Sequence, residues 1–477
     1  MTDVLIRRGT VLTMNQDRQI VEDGAVAIEK GKIVDVGPSK DLERKYKTKK
    51  MIDARNKVIM PGLIDSHGHA GHGLIKTIGE NNPNWNPIVS DRYNKRTTED
   101  FWYVESLLSA IEKVKFGTTC AVSFLGGGAG AFRSDDPVYA ERHLKAVREV
   151  GIRGILGIGP SGRSFPFHPQ AFSHWHGNKS TEIEADFEDM MSVTERVIKE
   201  WNGKDDGRLG VKVAVNRIAP GEDLPEQDLE IVRKQAAQVR ELASRYGTGI
   251  IAHASGGAIR LARELKMLGP DVSLSHSTRL SDEEIKILSA TGTTVVHCPR
   301  ARSPIRDRCP VVELLEAGVR VVLGSDGSAP DRTFNLFDDM RQAMSLQRVH
   351  FKSSNYMPPG KVLEMVTIDA AAALHLDHML GSIEVGKKAD IILLDMLKPH
   401  LVPTFMIPQR IVYEASGFDV DTVLIDGRTV MENRKMTRVD ERQILKKAQR
   451  EAERFIEMAD LKHLMETPPN FWGSAKY

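Results

Sequence analysis

The stretch "KVIMPGLIDSHGHAGHG", residues 57–73, runs from an apolar segment straight into His67, His69 and His72. Residues 57–65 are apolar and β-branched enough for a buried strand, broken only by Pro61–Gly62. Residues two apart on a strand share a face, so His67 and His69 point the same way and His72 falls out of phase. Two imidazoles on one face at the end of a buried strand are costly to desolvate unless something binds them. On this stretch alone, a histidine-bearing surface loop is an equal alternative.

Beyond it the chain alternates. Short apolar runs at 118–124, 152–159, 209–215, 249–254, 271–276, 293–299 and 319–326 are separated by amphipathic helical stretches. In one of these, Leu229, Val232, Ala236, Val239, Leu242 and Tyr246 recur at three- and four-residue steps, and Gly247 closes it. With the His67 strand these make eight strand–helix units, as a (β/α)8 barrel of the α/β class requires. An open doubly wound sheet is the alternative, but no Gly-rich nucleotide fingerprint follows the first strand. Residues 3–60 and 381–436 read instead as short strands with turns, among them Asp23–Gly24 and Lys30–Gly31. The expected organisation is a small β-sandwich from 1–58 plus 381–436, a barrel over 59–380, and a helix and tail over 437–477. The charged amphipathic segment 440–466 is expected to be solvated on one face or to pack at an interface.

Composition narrows the class. With 66 basic against 65 acidic residues and a net charge of +1, there is no electrostatic case for nucleic acid or a membrane surface. Cys120, Cys298 and Cys309 are odd in number and far apart, which fits a reducing, cytoplasmic setting rather than a disulfide framework. No apolar run approaches the roughly 20 residues that span a bilayer. A small-molecule substrate and a homo-oligomer (dimer or tetramer) are the expected partners.

The barrel reading has a consequence for chemistry, because catalytic groups in such barrels sit at the C-terminal ends of strands. Strand one ends in His67 and His69, strand five in His253, strand six in His276, strand seven in His297 and strand eight in Asp326. Any one of these alone reads as structural. Their convergence on one mouth makes a His-and-carboxylate metal site the economical account.

The elements "VIMPGLIDSHGHAGHGLIK", "IIAHASGG", "LSHSTRLSDEEI", "VVHCPRA", "LLEAGVRVVLGSDG" and "GSIEVGKKADIILLD" together resemble the amidohydrolase superfamily. They are most similar to its branch of triazine hydrolases, aminohydrolases and deaminases. The resemblance implies one divalent metal per chain held by His67, His69, His253 and Asp326. Zinc is the expected ion, although the donor set suits iron, cobalt and manganese comparably. Such an ion lowers the pKa of a bound water from 15.7 to about 7. Asp326 would accept the water's proton and pass it to the leaving amine, and His276 would polarise the attacked carbon or hold the water. A binuclear site would need a bridging carboxylate or lysine, and Lys212 lies too near the start of strand four. A non-catalytic barrel should have lost its ligands, and here every position is filled.

One departure from the branch bears on the substrate. Deaminases and triazine hydrolases of this type carry Glu three residues after the strand-five His, to protonate a ring nitrogen; here Gly256 stands there. Losing such an acid costs roughly 10²–10⁴-fold. A urea, carbamate or amide, whose carbonyl leans on the metal and His276, is therefore the expected substrate. That pattern looks closer to phenylurea and molinate hydrolases. Deamination of a cytosine-, purine- or triazine-type heterocycle is the alternative. His72, Trp85, His297, Arg300 and Arg302 are expected near the substrate, with core packing or loop salt bridges as their bland readings. The segment 160–178, rich in aromatics and His, reads as a lid or a surface excursion.

Overall fold

The computed structural model describes residues 2–473 apart from 81, 83, 128–129, 178, 221–224 and 302–306. Eight parallel strands follow one another in chain order: Leu63–Asp65, Thr118–Phe124, Arg153–Ile158, Leu209–Arg217, Ile250–Ser255, Val272–Thr278, Thr294–His297 and Val321–Leu323. They are counted here as barrel strands one to eight. The ring closes between the last and the first, where Ser66 N donates to Leu323 O at 3.2 Å and Asp326 N to His67 O at 2.9 Å. This is the (β/α)8 barrel expected from the alternating pattern.

The strands read as continuous apolar runs because both of their faces are buried. Ile64, Val122, Ile155, Ala214, Ile251, Val296 and Val322 fill the interior. Their neighbours Leu63, Ala121, Leu156, Val213, Ala252, Val295 and Val321 face the helical layer. Helix termini follow their local signals. Thr98 caps the helix Glu99–Lys115 by accepting from Phe101 N, with Glu99 and Asp100 in the first turn. Gly247 ends the helix Glu226–Tyr246 in the left-handed region at φ 59°.

The two chain ends share one nine-stranded sheet. Lys57–Pro61, leading into barrel strand one, pairs antiparallel with Ile391–Asp395. The long strand Thr2–Leu12 pairs first with Thr48–Asp53 and then with Lys57–Pro61, so the ladder is continuous rather than split into two separate sheets. Lys30–Gly31 makes the turn between Ile20–Glu29 and Lys32–Pro38. Asp23–Gly24 does not turn. It lies within a single strand opposite Gly9, where the register slips, and the Asp–Gly pair with φ 42° at Asp23 marks an irregular kink.

Segment 160–178, read as a lid or a surface excursion, carries one strand of a hairpin. Gln170–His176 forms a hairpin with Lys179–Ala185, anchored by Trp175 Nε1 donating to Lys95 O at 2.8 Å and by His174 Nε2 to Asp135 at 2.7 Å. The helix Glu441–Met458 buries Ile444, Ala448 and Phe455, and Phe455 packs on Phe101 of the barrel's own layer with ring centroids 4.6 Å apart. The three cysteines are buried free thiols. Among the described residues, no helix is long and apolar enough to cross a membrane.

Candidate metal centre

The strand ends bring five side chains together. Nitrogens of His67, His253 and His276 lie within 4.8 Å of one another, as do donor atoms of His67, His69 and Asp326. Asp326 Oδ1 is 3.3 Å from His69 Nε2 and 3.5 Å from His67 Nε2, and His69 Nε2 is 3.3 Å from His253 Nε2. A tetrahedral ion with ligand bonds of about 2.0–2.1 Å sets its donors about 3.3–3.4 Å apart. The spacing fits such an ion.

Backbone carbonyls fix the tautomers. His69 Nδ1 lies 2.9 Å from Gly126 O and His253 Nδ1 lies 2.7 Å from Asn216 O. A carbonyl accepts only a proton, so Nδ1–H donates in each ring and both Nε2 lone pairs turn inward toward each other. Two lone pairs 3.3 Å apart repel unless a cation lies between them. His67 is buried, and among the described residues neither of its nitrogens has a hydrogen-bond partner, a cost natural interiors avoid. These donors fit a divalent metal.

His276 reaches this group against simple alternation. Val272 and Leu274 of the same strand face the helical layer, and an unbroken strand would send His276 there too. Left-handed backbone at His276 (φ 68°) and Ser277 (φ 46°) breaks the alternation. The ring then stacks on His253 with centroids 5.3 Å apart. Asp326 is also left-handed, at φ 63°, and accepts from Gly327 N at 2.8 Å. Such positions cost of order 1–3 kcal/mol each and gather at functional sites.

Burial holds the His67 imidazole down at about 3, and keeps His253 well below and His276 below the ordinary value. Asp326 is pushed up by burial, but surrounding positive charge, the Arg332 guanidinium first, outweighs this and holds its carboxyl well below the usual range. Neutral rings beside an ionised carboxylate are the protonation states that bind a metal. Arg332, 3.6 Å from Asp326 Oδ2, was not legible as a site residue, and only its place six residues after Asp326 hints at it. Phe124, the last residue of strand two, lines the group 5.0 Å from the rings of His67 and His253.

The other candidates lie as follows. His72 is buried, stacked on His69 at 5.3 Å and set edge-on to Trp85 at 5.5 Å. Both of its nitrogens are unpartnered among the described residues, and a Cβ at Gly327 would come 1.9 Å from its Nδ1. Trp85 donates through Nε1 to Ile78 O. His297 is buried at the end of strand seven, outside the two donor groups, with both nitrogens unpartnered among the described residues. Arg300 is committed elsewhere: its Nε and Nη2 grip Asp339 at 2.9 and 2.8 Å, so the loop salt bridge is what the structure shows. Arg302 lies outside the described residues. Lys212 donates to Thr248 O at 3.0 Å, at the opposite end of strand four from the mouth. Gly256 is tightly seated, since a Cβ there would lie 1.8 Å from Arg279 O. No carboxylic side chain can grow from that position without moving the backbone.

The sequence profile of the amidohydrolase family matches residues 58–430. A 5'-deoxyadenosine deaminase of Methanosarcina acetivorans is 31% identical over 479 residues, covering 96% of this chain and 100% of that one. A 5-methylthioadenosine/S-adenosylhomocysteine deaminase of Desulforudis audaxviator is 31% identical over 91% of this chain and 95% of its own. Among solved structures, a zinc-bound adenosine deaminase of Xanthomonas campestris superposes with a TM-score of 0.80 at 20% identity, over 96% of this chain and 99% of that one. Zinc-bound atrazine chlorohydrolase of Arthrobacter aurescens gives 0.75 at 19% identity, over 94% of this chain and 100% of that one. The chain belongs to the amidohydrolase family, hydrolases of carbon–nitrogen bonds other than peptide bonds.

Proposed function

We propose that this chain hydrolyses a carbon–nitrogen bond of a small molecule, with His67, His69, His253 and Asp326 holding one divalent metal, most naturally zinc. The observation that carries this is the set of His67, His69 and His253 Nε2 atoms gathered beside an ionised Asp326, spaced as a tetrahedral ion's ligands are. When bound, the ion supplies Lewis-acid polarisation and lowers the pKa of a water. Asp326, kept ionised by Arg332, accepts that water's proton and returns it to the departing nitrogen. His276, stacked on His253, stands where it donates to negative charge growing on the attacked group. His72, stacked on His69, and Trp85, edge-on to His72, form an aromatic wall on the His69 side of this group.

Two substrate readings follow, each with its own support. Relatives named as deaminases of 5'-substituted adenosines, at 31% identity over nearly the whole chain, favour deamination of an adenine-type ring, and that reaction is the first to assay. Gly256, seated under the Arg279 carbonyl where such enzymes carry their proton donor, favours a urea, carbamate or amide, which needs less acid assistance. Ammonia release from 5'-deoxyadenosine, methylthioadenosine and S-adenosylhomocysteine, set against amine release from aryl ureas, carbamates and amides, separates them by kcat/KM. Activity on the adenosines at about 10⁴ M⁻¹s⁻¹ or above, the low end of ordinary enzyme efficiency, establishes the first reading. Adenosine turnover orders of magnitude below that, with efficient cleavage of a carbonyl compound, establishes the second.

A further inference from the structure

Three exposed arginines lie at or just after the C-terminal ends of barrel strands, on the side of the barrel where His253 ends its own strand. Arg163 follows barrel strand three, Arg217 ends strand four, and Arg279 follows strand six. Their backbones are tied to the same few residues. Asn216 Nδ2 donates to Arg163 O at 2.7 Å, and Arg217 pairs in register with His253. The Arg279 carbonyl oxygen fills the space that a Cβ at Gly256 would need, 1.8 Å from where that atom would lie. Gly256 Cα therefore serves as the seat for Arg279, at the position where the deaminase branch keeps its carboxylic acid.

Among the described residues the charges are nearly uncompensated. Neither Arg163 nor Arg217 has an ion pair or side-chain hydrogen bond among the described residues. Among the described residues Arg279 meets Asp307, at 3.4 Å, with both side chains partly in water. Burial, then the Arg163 charge, then the Arg279 charge each lower the Arg217 pKa, so both charges reach Arg217. Like charges held on one rim without counter-charge are relieved by an anion, and a guanidinium takes a carboxylate or a phosphate by the same forked hydrogen bonds.

We propose that Arg163, Arg217 and Arg279 form an oxyanion-binding subsite, and that the substrate carries a carboxylate or phosphate remote from the bond that is cut. The first half stands on the rim alone; the second rests on the hydrolase reading above. The test is calorimetric titration of the full-length, metal-loaded protein with inorganic phosphate and with glutarate, at low and at roughly physiological salt. One anion should bind per chain and weaken as salt rises. Arg217→Gln and the double variant Arg217→Gln/Arg279→Gln should weaken it tenfold or more, with metal content and unfolding midpoint unchanged. The stronger of the two probes identifies the anion class. No binding to the wild type, or equal binding to wild type and variants, overturns the subsite. A second arm compares kcat/KM for a carboxylated substrate and its neutral methyl ester. Arg217→Gln should lower the first tenfold or more and the second less than twofold. Equal losses overturn the assignment of the rim to the substrate. A protein that binds the anion through these arginines but hydrolyses nothing instead defeats the hydrolase reading and leaves the subsite standing.

Discussion

Replacing Gly256 by alanine tests how tightly the mouth is assembled. The new Cβ would lie 1.8 Å from Arg279 O and 2.7 Å from Arg279 C. An ordinary carbon–oxygen contact is about 3.3 Å, so the carbonyl must retreat by about 1.5 Å. Gly256 N donates to Thr278 O at 2.7 Å, one residue before that carbonyl, and this bond goes with the movement. A lost buried hydrogen bond costs about 1 kcal/mol, and overpacking costs about 1–3 kcal/mol. Gly256→Ala should therefore destabilise the fold by about 2–4 kcal/mol in equilibrium denaturation. Gly256→Glu meets the same obstruction and should lose as much, without gaining activity on ring amines. If Gly256→Ala stays within about 0.5 kcal/mol of wild type, as a free surface position would, or if Gly256→Glu is stable and deaminates adenosines, the reasoning fails.

The remaining expectations concern the metal group and its surroundings. His67→Ala, His253→Ala and Asp326→Asn should each remove metal and activity together while circular dichroism stays native; full metal in Asp326→Asn would refute that ligand. His276→Ala should keep most of the metal and lose about 10²–10⁴ in kcat, whereas parallel loss of metal would make it a ligand. Gly327→Ala drives a methyl to 1.9 Å from His72 Nδ1 and should lower stability and activity together, checked by denaturation and turnover. Burial holds the His143 pKa at about 3, below the unfolded value of about 6.5. Between these values only the unfolded chain binds the proton, so stability falls as pH drops from about 6.5 toward 3, by about 1.4 kcal/mol per unit for this group. His143→Gln should flatten that slope in denaturation series at different pH.

The barrel was legible because parallel strands buried on both faces leave uninterrupted apolar runs, and the site was legible because those runs end in His or Asp. His67 and His69 were placed by alternation, and His276 against it: nothing in "VSLSHST" announces the left-handed turn that brings its ring in. Arg300 looked available because a sequence does not show Asp339, 39 residues later, folded back onto it. The hairpin at 170–185 hid within a segment that is too polar to alternate, and Asp23–Gly24 carried turn chemistry that the sheet uses for a kink. The expectation of a carbonyl substrate came from one missing acid, while the relatives favour the ring deamination that had been placed second. A missing side chain shows which proton source is lost, and its replacement can come from any loop at the mouth.

Metal content per chain, measured by elemental analysis before and after chelation and alongside hydrolytic activity, tests the central claim most directly. The geometry of His67, His69, His253 and Asp326 predicts close to one divalent ion per chain, with activity lost on its removal and restored by one equivalent. A value near zero in fully active protein, or near two with both ions required, would contradict it.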